Sequence, residues 1–146
     1  MKYKFSDTSL HRMAGLNVEL KKLLFLALKR SPIDFGIAWY GGFRTAEMQA
    51  ELYKKTPKVT SKDGYKKKSK HQSGLAVDLL PYVKGKAAPT KENYLILAGV
   101  MLACANELGL TIRSGMDWDM DTEYLVDQTF NDYPHYELIF NDYPHY

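Results

Sequence analysis

Residues 69–82 read SKHQSGLAVDLLPY, and this stretch decides the reading of the chain. Leu75 to Tyr82 has the composition of a buried strand with a proline near its end. An aspartate, Asp78, sits inside it among Leu, Ala and Val, where a carboxylate needs a partner. His71 lies seven residues earlier. On one uninterrupted strand that odd separation would put the two side chains on opposite faces. Ser73-Gly74 supplies a bend that lets them converge, His71 from a loop and Asp78 from the strand behind it. A histidine and an aspartate converging on one point are two ligands of the type zinc takes. The competing reading is a surface histidine near a strand aspartate.

Outward from this stretch, helices and strands alternate irregularly. Ser6 or Asp7 can cap a short helix over TSLHRMAG, and a second helix is expected over Val18 to Arg30, with Leu20, Leu23, Leu24 and Leu28 on one face. FGIAWY, Phe35 to Tyr40, reads as a strand broken by Gly41-Gly42, and Thr45 to Lys55 as a helix. Thr56 to Gln72 is a long, lysine-rich loop. Thr90 to Gly109 is an apolar helix, LTIRS a short strand, and HYELIF a last strand after a polar loop. The pattern predicts an α+β domain rather than a doubly wound one.

The 146 residues suffice for one domain with a real core, and 45% hydrophobic with 25% charged residues is ordinary for a soluble globular chain. A net charge of +3 favours anionic surfaces such as a bacterial wall without singling out nucleic acid. The basic residues concentrate between Lys54 and His71, where no aromatic interleaving marks a nucleic-acid module. One cysteine, Cys104, permits no internal disulfide. The longest apolar stretch, Tyr94 to Ala105, is too short to span a bilayer, and the N-terminus lacks an apolar signal core, so the protein is expected to be made in the cytoplasm.

A catalytic zinc normally has three protein ligands. Of four histidines, His11 falls in the first short helix, which leaves His135 or His145 as the third ligand beside His71 and Asp78. Both belong to a repeated heptapeptide, FNDYPHY, at 130–136 and 140–146. In each copy an aspartate stands three residues before the histidine, across a proline that keeps its predecessor extended. The first copy can thus set His135 on a metal with Asp132 beside the attacking water.

Taken together, these stretches resemble a known family. SKHQSGLAVD matches the S-x-H-x-x-G-x-A-x-D signature of zinc peptidases that include D-alanyl-D-alanine carboxypeptidases and vancomycin-resistance dipeptidases. DYPHYEL, GGFRTAEMQAELY and FSDTSLHRMAGLNVEL resemble landmarks of phage endolysins and related L-alanyl-D-glutamate peptidases, so the likeness runs from about Phe5 to Leu138. The resemblance implies an antiparallel sheet flanked by helices with a zinc site at the sheet. It implies zinc on His71, Asp78 and His135, Asp132 as the base that activates water, and Arg44 as a guanidinium aimed at the oxyanion. Ser69, Gln72 and Glu137 are candidates for orienting ligands or contacting substrate, against a solvated role. The implied substrate is peptidoglycan, the implied bond L-alanyl-D-glutamate, and the implied context a phage lysin released through a holin-type partner, acting as a monomer and without membrane insertion. Hydrolysis of D-Ala-D-Ala and a silent zinc-containing wall-binding module are the alternatives.

Two features stand apart from the family pattern. Asp117, Asp119 and Asp121 alternate like the start of a calcium loop but lack the glycine and glutamate of an EF-hand, so calcium competes with a solvated acidic loop. The second FNDYPHY copy begins where the catalytic domain, residues 1–139, is expected to be complete, and residues 140–146 are read as a duplicated tail whose Asp142 and His145 stay off the zinc.

Overall fold

The structure is a computed structural model that describes residues 2–140. Helix α1, Asp7–Met13, starts at Ser6, whose Oγ accepts the Ser9 amide at 3.1 Å. Helix α2, Val18–Arg30, is capped by Asn17 in the same manner. Leu20, Leu23, Leu24, Ala27 and Leu28 form its buried stripe. Strand β1 is Asp34–Ile37, helix α3 Ala46–Tyr53, strand β2 Ala76–Val83 and strand β3 Lys86–Ala87. Helix α4, Lys91–Glu107, follows the Thr90 cap, and strands β4, Thr111–Ser114, and β5, His135–Ile139, close the fold.

The sheet runs β1-β2-β5-β4, with every pairing antiparallel and β3 hairpinned onto the end of β2. Val77 and Leu79 of β2, Ile112 of β4 and Tyr136 and Leu138 of β5 join one core with the apolar stripes of α2 and α4, including Leu97, Met101 and Cys104. Each such fully buried large side chain contributes about 1.5–3 kcal/mol of transfer free energy. The opposite sheet face carries Asp78, His135 and Glu137, because strand side chains alternate. This is the α+β architecture expected from the sequence.

Local boundaries differ in instructive places. The first strand stops at Ile37 rather than Tyr40. Past it the chain bulges around Asp78, whose amide donates to the Gly41 carbonyl at 2.7 Å and whose carbonyl accepts from Ala38 at 3.0 Å. Tyr40 takes a left-handed conformation there (φ 54°). Helix α3 ends two residues before Lys55. Strand β3 was not anticipated; Lys84 and Gly85 both have positive φ, as a two-residue hairpin turn requires. The end of the lysine-rich loop is a 3-10 turn, Lys70–Ser73, and Gly74 after it is left-handed (φ 71°), which makes the bend expected between His71 and Asp78.

Candidate metal centre and active-site cleft

The sheet register builds the centre. Asp78 on β2 is the direct cross-strand partner of His135 on β5, so their side chains leave the same face side by side. His71 reaches the same point from the 3-10 turn. Its Nε2 lies 3.5 Å from Asp78 Oδ1, and His135 Nδ1 lies 3.2 Å from that same oxygen. All three donor atoms fall within 4.8 Å of one another. Zinc bonds of about 2.0–2.1 Å in a tetrahedral site place neighbouring donor atoms roughly 3.3–3.4 Å apart. The two separations from Asp78 bracket that value, so the donor set suits one zinc ion in type and in its spacing about Asp78.

Each histidine is oriented through its other nitrogen. The His71 Nδ1–H donates to the Gly42 carbonyl at 3.0 Å, which leaves the Nε2 lone pair facing the centre. His135 Nε2 bonds Glu137 Oε1 at 3.0 Å, which turns its Nδ1 inward. Glu137 is 3% exposed and is held in turn by Arg113 Nη2 at 2.8 Å. Arg113 is the cross-strand partner of Glu137, and its guanidinium stacks 5.5 Å from the Trp118 ring. A carboxylate behind a ligating histidine fixes the ring and raises its basicity.

The electrostatics of the pocket agree. Burial acts against the charge of Asp78, yet His71 and His135 hold its carboxyl well below the usual range. Burial also disfavours charged His135, but hydrogen bonds to Asp78 and Glu137 outweigh it and push the imidazole up to about 9. Asp78 and Glu137 thus favour positive charge at this point, which a bound zinc would supply.

Asp132 lies on the near side of the turn before β5. Its carbonyl accepts the His135 amide at 3.2 Å, which closes the turn, and its own amide donates to the Gly115 carbonyl at 2.8 Å. Gly115 leaves the space for it, since a Cβ there would stand 2.2 Å from the Asp132 carbonyl oxygen. Burial and the charge of Asp78 raise the Asp132 carboxyl above its ordinary value, against the opposing pull of His135, His71 and Arg44. Its carboxylate accepts no hydrogen bond among the described residues. Asp132, the triad and Arg44 line a single cleft of about 840 Å³.

Comparison with known proteins places this arrangement. The model of a family described as phage L-alanyl-D-glutamate peptidase matches residues 1–139. An L-alanyl-D-glutamate peptidase of Escherichia phage T5 is 32% identical over 128 residues, covering 85% of this chain and 88% of that protein. The chain belongs to the phage L-alanyl-D-glutamate peptidase family. The fold also matches a crystal structure of an L-Ala D-Glu endopeptidase from Serratia marcescens, with a TM-score of 0.74 over 98% of this chain and 96% of that one; at 24% identity this likeness concerns the fold alone. The protein is thus a zinc-dependent peptidoglycan endopeptidase acting at the L-alanyl-D-glutamate bond, as its signature implied.

In this peptidase Arg44 is more engaged than a free oxyanion donor would be. Its Nε donates to the Tyr40 carbonyl, Nη1 to Gln49 Oε1 at 3.0 Å and Nη2 to Asp78 Oδ2 at 3.1 Å. Burial works against its charge, and Asp78 and Asp132 support it. Ser69 and Gln72 form a capping box over the 3-10 turn: Ser69 Oγ accepts the His71 amide at 3.2 Å and Gln72 Oε1 the Ser69 amide at 2.9 Å. They shape the segment that carries His71. Asp117, by contrast, is 4% exposed, and its two carboxylate oxygens take the amides of Asp121 and Thr122 at 3.1 and 3.0 Å. Asp142 and His145 lie outside the described residues.

Three contributors escaped the sequence reading. Gln49, fully buried, links Arg44 to the lysine-rich loop through Nε2 bonds to the Lys62 carbonyl and Thr60 Oγ1. A glutamine on the same helix face as Leu52 was the available signal. Arg113 and Trp118 gave none, since Arg113 acts through its pairing with Glu137 across β4 and β5 and Trp118 through its contacts with the Arg113 and His135 side chains. The buried relay carries a prediction. Glu137→Gln should lower zinc affinity by about 10–100-fold, because the amide leaves Arg113 without its counter-charge and holds His135 less firmly. Competition with a chromophoric chelator measures this, and wild-type affinity in the variant would exclude a role for Glu137 behind His135.

Proposed function

We propose that His71, Asp78 and His135 hold the zinc, that Asp132 is the general base and that Arg44 assists the oxyanion. When bound, zinc polarises the scissile carbonyl and acidifies water. Asp132 accepts a proton from the attacking water and returns it to the glutamyl nitrogen as the C–N bond breaks. Arg44 keeps Asp78 oriented through Nη2, and the second hydrogens of its Nη groups are available to the oxygen that gains charge. The observation that carries this reading is the convergence, in one cleft, of a three-donor set at zinc spacing with a carboxylate of raised proton affinity.

Digestion of purified muropeptides tests the reading. New amino-terminal D-glutamate should appear, vanish on chelation and return with zinc. Release of free D-alanine in its place would overturn the bond assignment.

The site is complete within one chain, which supports action as a monomer. Among the described residues no helix is long and apolar enough to cross a membrane. We infer passage from the host cytoplasm to the wall through a separate holin-type partner from the phage family to which the chain belongs. At Asp117, Asp119 and Asp121 calcium competes with a solvated acidic loop, and the calcium reading has in its favour carboxylate oxygens within 4.8 Å of one another. Calcium should then raise the melting temperature of the zinc-loaded protein, and the rise should disappear in Asp119→Asn. Absence of any rise would remove calcium from the account.

A further inference from the structure

The cleft has unlike flanks. Asp78 and His135 stand on the two central strands, β2 and β5. On the β4 side the lining is aromatic, Trp118 and Phe130, and its one cation, Arg113, is neutralised by Glu137. On the α3 side the lining carries Trp39, Leu52 and Val59, with Lys55 over the Trp39 ring, and adds three lysines from the loop before His71: Lys62, Lys68 and Lys70. All three are exposed, and none forms an ion pair among the described residues. The nearby acid Asp63 turns one oxygen to the amides of Tyr65, Lys66 and Lys67, each at 2.9 Å, and forms no ion pair with any of the three lysines.

This basic flank is built rather than loose. Gln49 fastens the Lys62 carbonyl at 2.9 Å, and Gln72 fastens the Gly64 carbonyl at 2.8 Å. The same two glutamines serve Arg44 and the turn that bears His71, so the loop backbone at Lys62 and Gly64 is tied to the metal centre.

The substrate is equally two-sided. L-alanine offers a methyl group. A D-glutamyl residue that continues the chain through one carboxyl keeps the other as an anion. We propose that Lys62, Lys68 and Lys70 bind this free carboxylate, so the enzyme selects the glutamyl side of its bond by charge while the alanyl side faces Trp118 and Phe130. The inference rests on the L-alanyl-D-glutamate assignment and adds the residues that recognise it. Exposed ion pairs are each worth a few-fold, so the combined effect is about tenfold.

The test uses the zinc-loaded full chain and two peptides, N-acetyl-L-alanyl-D-glutamyl-L-lysine amide and the same peptide with the free D-glutamyl carboxylate amidated. Wild type should favour the acidic peptide by about tenfold in kcat/KM, mostly through KM, with the preference shrinking as salt rises. The Lys62→Gln, Lys68→Gln, Lys70→Gln triple variant, checked for unchanged zinc content and melting temperature, should cleave both peptides as wild type cleaves the amide. A triple variant that keeps the preference, or a wild type that has none, overturns the proposal. Cleavage of neither peptide at the alanyl-glutamyl bond would overturn the bond assignment, and the proposal with it.

Discussion

Asp132→Asn is expected to keep zinc bound and to lower kcat by about 10²–10⁴-fold, the usual worth of a positioned general base. The substitution is nearly isosteric, and Asp132 supplies its backbone, not its carboxylate, to the turn. Its carbonyl accepts the His135 amide and its amide donates to Gly115, and both bonds survive the change. The ligands His71, Asp78 and His135 therefore stay in place, while the side chain no longer accepts a proton. Burial and the Asp78 charge already strengthen the proton affinity of Asp132, which suits a group that must take a proton from water and return it to an amine. Metal analysis alongside single-turnover kinetics separates the two effects. Loss of zinc together with activity would make Asp132 a ligand, and retained activity would place the base elsewhere.

His135→Ala should weaken zinc binding by more than about a hundredfold and abolish hydrolysis, because even a partner behind a ligand is worth about 10–100-fold. His145→Ala should leave both properties as they were. The argument is one of register. His135 faces Asp78 across β2 and β5 at 3.2 Å, and the carboxylate of Glu137, two residues on, fixes its ring from behind. Titration of each variant with zinc against a chelator decides the matter: zinc loss confined to His145→Ala would transfer the ligand to the second copy.

Much of this protein is legible in its sequence. The S-x-H-x-x-G-x-A-x-D stretch names two ligands and the bend between them, because a glycine at a left-handed position and an aspartate in an apolar strand are each locally costly. The cap of α1, offered as Ser6 or Asp7 and found at Ser6, was readable for the same local reason, as were the leucine stripe of α2 and the α+β class. The acidic loop and the doubled tail were visible as features, but their chemistry was not.

The tertiary structure decided what depends on partners distant in sequence. Strand register is set by long-range pairing, and it alone made Asp78 the neighbour of His135 and Arg113 the neighbour of Glu137. The same holds for the Gly42 carbonyl that fixes His71 and for Gln49, which binds Arg44 to the basic loop. A local pattern determines what a residue offers, a carboxylate, an imidazole or a bend. Which groups meet at 3 Å is a property of the folded sheet, because a one-residue slip of β5 would carry His135 and Glu137 to the core face and leave Asp78 without its partner.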